Sequence, residues 1–182
     1  MKKEITKAIV ETIKIKTRAM ADSIKGKMDA KEEGWAKIPP NGFACLSQLK
    51  SLDLSNIPAR LPDPPTLSGM PGLQELHLRR MRLQEFPKEV YDLPQLRLLN
   101  ISQNSITAVP KEISALKLLE ELDLSDNSIM SLPAELGLLE SSLHVLKLDG
   151  NPLRSIRRPI LDRGTKAVLE YLKFKLPAPV SS

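Results

Sequence analysis

The sequence predicts an α/β fold: a right-handed β-α superhelical solenoid of about five repeats, with a concave parallel sheet and a C-terminal capping helix. Three signals that hold phase along the 182-residue chain predict it. Leucines recur as L-x-x-L-x-L at Leu49-Leu52-Leu54, Leu73-Leu76-Leu78, Leu96-Leu99-Ile101, Leu119-Leu122-Leu124 and Leu143-Leu146-Leu148, with starts 24, 23, 23 and 24 residues apart. An apolar-proline pair follows each of the first four frames, at Leu61-Pro62, Phe86-Pro87, Val109-Pro110 and Leu132-Pro133. An asparagine stands five residues after the second leucine, at Asn104, Asn127 and Asn151. A fixed period in this range is the mark of stacked supersecondary units that bury a face only against their neighbours.

The chain begins with a different composition. It holds 31 leucines, the first of them Leu46, whereas the first 45 residues carry six isoleucines. Residues 1–37 have ten basic and six acidic side chains, and Ile5, Ile9 and Ile13 followed by Met20, Ile24 and Met28 fall at helical spacing. Three readings stay open for 1–37: a basic amphipathic helix that meets a membrane surface or a partner through residues 1–30, an improvised cap on the first repeat, or a disordered extension. Ile38-Pro39 lies one period before Pro62, so 38–48 read as a partial N-terminal repeat, with Cys45 a small buried apolar residue beneath it.

Residues 49–153 form the predicted solenoid. In each L-x-L the two leucines point to one side of a short strand, because strand side chains alternate. The intervening positions then line the concave face in three columns: Asp53, His77, Asn100, Asp123 and Lys147; Ser55, Arg79, Ser102, Ser125 and Asp149; Ser51, Glu75, Leu98, Glu121 and Val145. Asn104, Asn127 and Asn151 are expected to turn inward as a structural ladder, their amides pairing backbone groups that burial would otherwise leave unmet. On the convex side, Pro87-Lys-Glu-Val, Pro110-Lys-Glu-Ile and Pro133-Ala-Glu-Leu each predict a helical or 3₁₀ turn, with proline at the first helical position and an early glutamate at the positive end of the dipole. Three departures interrupt the pattern. Asn56 comes one residue early, which predicts a distorted turn; Met81 occupies an asparagine position; and Pro62 to Pro71 hold a proline-rich insertion expected to bulge outward.

Residues 154–176 read as the C-terminal cap. Thr165 is a candidate N-cap, Val168, Leu169 and Leu172 form an apolar stripe, and Pro177 ends the pattern before a disordered tail over 177–182. Arg154, Arg157, Arg158 and Arg163 read either as a solvated basic rim or as an anion site.

Composition narrows the function. The formal charge of +5 divides into +4 over residues 1–37, −4 over 38–153 and +5 over 154–175. Only six aromatics are present, too few for a stacking face, which argues against nucleic acid. No apolar run reaches the roughly 18 residues of a membrane-spanning helix. One cysteine and two histidines offer neither a disulfide framework nor a metal cluster, and no cofactor is expected. Asp53 and Asp123 lie three repeats apart, too far for paired carboxylate chemistry, and no serine has a histidine placed as its base. The triplet Asn100-Ile101-Ser102 lies on a strand and is discounted as a glycosylation site.

The repeats with x-L-P-x-E-[VIL] resemble the leucine-rich repeat (LRR) family and, within it, the intracellular Ras-group-related class of scribble-like and Ras-suppressor-like proteins. The stretch Leu146-Lys-Leu-Asp-Gly-Asn-Pro-Leu-Arg-Ser-Ile-Arg-Arg, with Asp162-Arg-Gly-Thr-Lys-Ala-Val-Leu-Glu-Tyr-Leu-Lys, is similar to the C-terminal portion of the leucine-rich repeat-containing protein 40 family, especially its plant forms. The resemblance implies a non-enzymatic, cytoplasmic protein-interaction module or scaffold in signal transduction. It implies a protein partner, with a small-GTPase-pathway component among the candidates; separately, a monomeric chain is expected. The expected partner-binding residues are Asp53, His77, Arg79, Asn100, Ser102, Glu121, Asp123, Ser125, Lys147 and Asp149. Two other readings are kept: peripheral membrane attachment through the N-terminal helix, and a truncated product with no independent role.

Overall fold

Each L-x-L begins with the central leucine of a three-residue strand in the computed structural model, which describes residues 50–56 and 70–177. The strands are β1 (Ser51–Asp53), β2 (Glu75–His77), β3 (Leu98–Asn100), β4 (Glu121–Asp123) and β5 (Val145–Lys147). They form one parallel sheet in sequence order, and the register aligns Leu52, Leu76, Leu99, Leu122 and Leu146. The sequence columns are therefore the structural columns. Three-residue strands are too short to be stable alone. Their stability comes from the shared interior, where the frame leucines and Leu93, Leu116 and Leu139 are at most 3 % exposed from Leu52 through Leu143.

Three 3₁₀ turns line the convex side, at Lys88–Asp92, Lys111–Ala115 and Ala134–Leu139. Pro87, Pro110 and Pro133 occupy the extended position just outside each turn rather than the first helical position expected from sequence. Glu89, Glu112 and Glu135 do fall in the first turn, and Val90, Ile113 and Leu136 are buried. Tyr91 stacks on Phe86 with centroids 5.9 Å apart. Its hydroxyl is buried with no hydrogen-bond partner among the described residues, and burial, with Glu112 nearby, pushes its pKa up. Removing that hydroxyl relieves an unmet desolvation cost. Tyr91→Phe is expected to stabilise the fold by about 1 kcal/mol. The direction of the shift adds a pH signature. The unfolded tyrosine ionises near pH 10 while the folded one stays neutral, so wild type should lose stability relative to Tyr91→Phe as pH rises above 10. Denaturant melts of both proteins at pH 7 and pH 10.5 check this.

Where the chain leaves the sheet, the ladder positions and the turn positions separate cleanly. Asn104 Nδ2 donates to the carbonyls of Leu78 and Ile101, each at 2.9 Å, and its Oδ1 accepts from the N–H of Met81 and Leu83. Asn127 donates to Ile101 and Leu124 and accepts from Ile106. Asn151 donates to Leu124 and Leu148 and accepts from Ile129. Each amide thus ties its own coil to the one before. Met81 is buried at the equivalent position and has no amide to extend the series. The preceding residue is left-handed in every repeat: Asn56, Arg80, Gln103, Asp126 and Gly150 all have φ between 53° and 71°. Asn56 therefore sits in the turn, not in a displaced ladder site. Its N–H donates to the Arg79 carbonyl at 2.8 Å, as Gln103 does to Ser125 and Asp126 to Asp149, so the expected distortion is absent through residue 56. Asparagine suits that position because it tolerates φ > 0.

Two helices follow the sheet: α1 (Arg158–Leu161) and α2 (Thr165–Phe174). Val168, Leu169 and Leu172 of α2 are buried against the last repeat. Gly164, not Thr165, holds the N-cap position, at φ 84°. The Thr165 hydroxyl serves the sheet instead. Its Oγ1 accepts from the N–H of Leu146 at 2.9 Å, satisfying a donor on the open edge of β5. Gly137 lets α2 approach. A Cβ built there would lie 2.4 Å from the Lys173 nitrogen and 2.8 Å from the Leu169 carbonyl oxygen. Residues 1–37, the partial repeat at 38–48 with Cys45, and the Pro62 to Pro71 insertion up to residue 69 lie outside the described residues.

Candidate binding face

The concave columns are partly used up in shaping their own loops. Asp53 Oδ1 accepts from the Ser55 N–H at 2.9 Å. Asn100 Oδ1 accepts from both the N–H and the hydroxyl of Ser102, at 3.0 and 2.7 Å. Asp123 Oδ1 accepts likewise from Ser125, at 3.0 and 2.6 Å. These are Asx turns, in which a short acceptor side chain fixes the backbone two residues on. Ser102 is buried and Asp123 is only 9 % exposed. Of the ten expected contact residues, Arg79, Lys147 and Asp149 are exposed, while Asp53, His77, Asn100, Glu121 and Ser125 are half-buried.

Charge across the face is redistributed by contact. Lys147 Nζ lies 2.7 Å from Glu121 Oε1 and 3.9 Å from Asp123 Oδ2, so one cation offsets part of the negative charge of these two carboxylates. The hydrogen bond to Glu121 raises the Lys147 pKa, keeping the ammonium charged. Arg79, Arg80 and Arg82 are exposed together and make the section around β2 basic. Arg79 and Arg80 both donate through Nε to Gln103 Oε1, and Gln103 Nε2 donates to Asp126 Oδ2 at 3.3 Å. A neutral amide thus holds two guanidinium groups side by side, and Arg82 is exposed beyond them.

A fourth column escapes the sequence reading. Gln74, Arg97, Glu120 and His144 each precede a strand at the same 23- or 24-residue spacing. Together with Glu75, Leu98, Glu121 and Val145 they line a shallow groove of about 340 Å³ across β2 to β5. Arg97 and Glu120 form an ion pair across it. A larger cleft of about 460 Å³ lies beside α2, lined by Leu138, Glu140, Ser141, Leu143, His144, Thr165, Lys166 and Lys173, and is crossed by the Lys173–Glu140 pair at 2.6 Å. Neither cleft assembles a nucleophile, base and orienting group. Among the described residues no cluster of three or more His, Cys, Asp or Glu side chains converges as a metal site, and no helix is long and apolar enough to cross a membrane.

Comparison with known proteins agrees with this geometry. The leucine rich repeat family model matches residues 71–129 and, overlapping, 94–153. An LRR protein of Leptospira interrogans is 31 % identical with a TM-score of 0.59, over 75 % of this chain and 35 % of that one. An internalin of Listeria monocytogenes is 26 % identical with a TM-score of 0.52, over 69 % of this chain and 35 % of that one. This chain spans about a third of either structure. The matches support the LRR family for the repeat region, and the fold is an α/β LRR solenoid.

Proposed function

We propose that this LRR solenoid is a non-enzymatic protein-interaction module or scaffold that binds its partner on the concave face. LRR proteins generally act as protein-interaction modules, and their fold is typically non-enzymatic. The observation that carries the reading is the strand register, which sets polar side chains in straight columns on a rigid sheet. The columns hold no tryptophan or tyrosine. Such anchors dominate tight interfaces, so recognition here is weak and charge-steered. The charge arrangement suits an extended partner segment that is acidic where it crosses Arg79, Arg80 and Arg82, and polar along Gln74, Arg97 and Glu120. The resemblance to the Ras-group-related class and to the leucine-rich repeat-containing protein 40 family supports a cytoplasmic, monomeric signalling role with a small-GTPase-pathway component as partner.

The test is affinity capture with wild type, Arg79→Glu and Glu121→Lys, each checked for an unchanged circular dichroism spectrum. Neither side chain takes part in the Asx turns, and each reversal removes one side-chain bond, Arg79 to Gln103 or Glu121 to Lys147. Specific partners should fall by about tenfold or more in both variants, as for charge reversal at an interface. An unchanged partner set in both would remove the concave face as the binding surface.

A further inference from the structure

The C-terminal cap carries a second surface with a different chemistry. Arg154, Arg157, Arg158 and Arg163 are exposed, and among the described residues none of them forms an ion pair. The end of α2 is pinned beside them. The Tyr171 hydroxyl donates to the Ser155 carbonyl at 3.2 Å, Lys175 Nζ donates to the same carbonyl at 3.3 Å, and Lys175 sits 4.3 Å from the centroid of the Tyr171 ring. Phe174, next in sequence, is 91 % exposed. Met130, whose carbonyl accepts from the Arg154 N–H at 2.9 Å, is 55 % exposed. The acids nearby are Asp162 and Glu170, and Glu170 is matched by Lys166 at 3.9 Å.

We propose that this surface docks on an anionic lipid membrane, with Arg154, Arg157, Arg158 and Lys175 at the headgroups and Phe174 in the interface. A single exposed phenylalanine needs no explanation by itself. Set beside cations that have no acidic partner among the described residues, it has the composition of an interfacial anchor. None of these residues lines either groove described above. Tight protein interfaces seat their anchors in pockets, and a bilayer needs none. The cations come from sequence positions that flank the capping function, and the apolar stripe of α2 stays committed to the core.

The experiment uses the full chain with vesicles of phosphatidylcholine alone or mixed with phosphatidylserine. Wild type should float with the mixed vesicles and release as salt rises. Arg157→Glu with Arg158→Glu should weaken binding by about 25-fold or more, since each cation near such a surface contributes roughly fivefold. Lys7→Glu with Lys14→Glu, an equal charge change in the N-terminal segment, should weaken it less. In a Trp35→Phe background, Phe174→Trp should move its emission to the blue with mixed vesicles and not with phosphatidylcholine alone. Unmoved emission, or flotation that ignores the arginine reversals, overturns the proposal. So does arginine-dependent binding of polyglutamate without binding of mixed vesicles, which would assign the surface to an acidic protein.

Discussion

Replacing Gly137 by alanine is expected to loosen the C-terminal cap and to cost about 3 kcal/mol, the upper end of overpacking penalties. The atoms a methyl group would meet are the backbone of α2 at Lys173 and Leu169, at 2.4 to 2.8 Å, and backbone cannot swing aside as a side chain does. Relief requires the helix to move away from Ala134–Leu139. That movement exposes Val168, Leu169 and Leu172, and the Leu146 N–H loses Thr165. Denaturant unfolding measures the loss, and limited proteolysis near residue 164 reports whether the helix is the part released. Ser114 is the matching position one repeat earlier, where no helix crosses. Ser114→Ala should change stability by no more than about 0.5 kcal/mol. Equal effects at 137 and 114 would refute a close approach of α2 at Gly137.

The second large effect is expected at Asn127, the most enclosed of the ladder amides. Asn127→Ala strands the N–H of Ile106, while the carbonyls of Ile101 and Leu124 each lose one of two amide donors and keep Asn104 and Asn151. A stranded buried donor costs about 1–3 kcal/mol and each lost bond about 0.5–1 kcal/mol, so a total of about 3 kcal/mol is expected. Asn151 makes a similar set of bonds but is only half-buried, and water can replace part of what is lost. Asn151→Ala should therefore cost about half as much. Chemical denaturation gives both values, and hydrogen exchange at the Ile106 amide gives a local readout that should accelerate in Asn127→Ala alone.

Much of the sheet is legible in the sequence because its causes are local and periodic. The inward leucines, the concave columns and the inward asparagines all follow from one period, since every coil repeats the same alternation of side chains. What the sequence hides depends on neighbours that are distant or unequal. Asn56 reads as a ladder residue out of place because it has the ladder's residue type one position early. Only the left-handed φ shared with Arg80, Gln103, Asp126 and Gly150 reveals it as a turn residue. Gly137 carries no signal of its own, because its small size matters only where α2 crosses. Thr165 looks like a helix cap because threonine favours that place, yet the unmet donor on β5 claims its hydroxyl.

The candidate face shows the same limit. Column membership is readable from the sequence, but availability is not. Ser102 and Asp123 spend their polar atoms on Asx turns, and Lys147 turns from a free cation into the counterion of Glu121. The fourth column of Gln74, Arg97, Glu120 and His144 is discoverable from the same spacing, one position upstream of each strand. It escapes notice when side-chain alternation is counted only within the L-x-L core.

The candidate face and the cap both depend on successive coils lying side by side in sequence order. Nuclear Overhauser contacts between backbone protons test that order most directly. Stacked coils predict cross-strand contacts between Leu52 and Leu76, Leu76 and Leu99, Leu99 and Leu122, and Leu122 and Leu146, and none between strands further apart. Contacts joining Leu76 to Leu122, or an antiparallel pattern between any two of these strands, would contradict it.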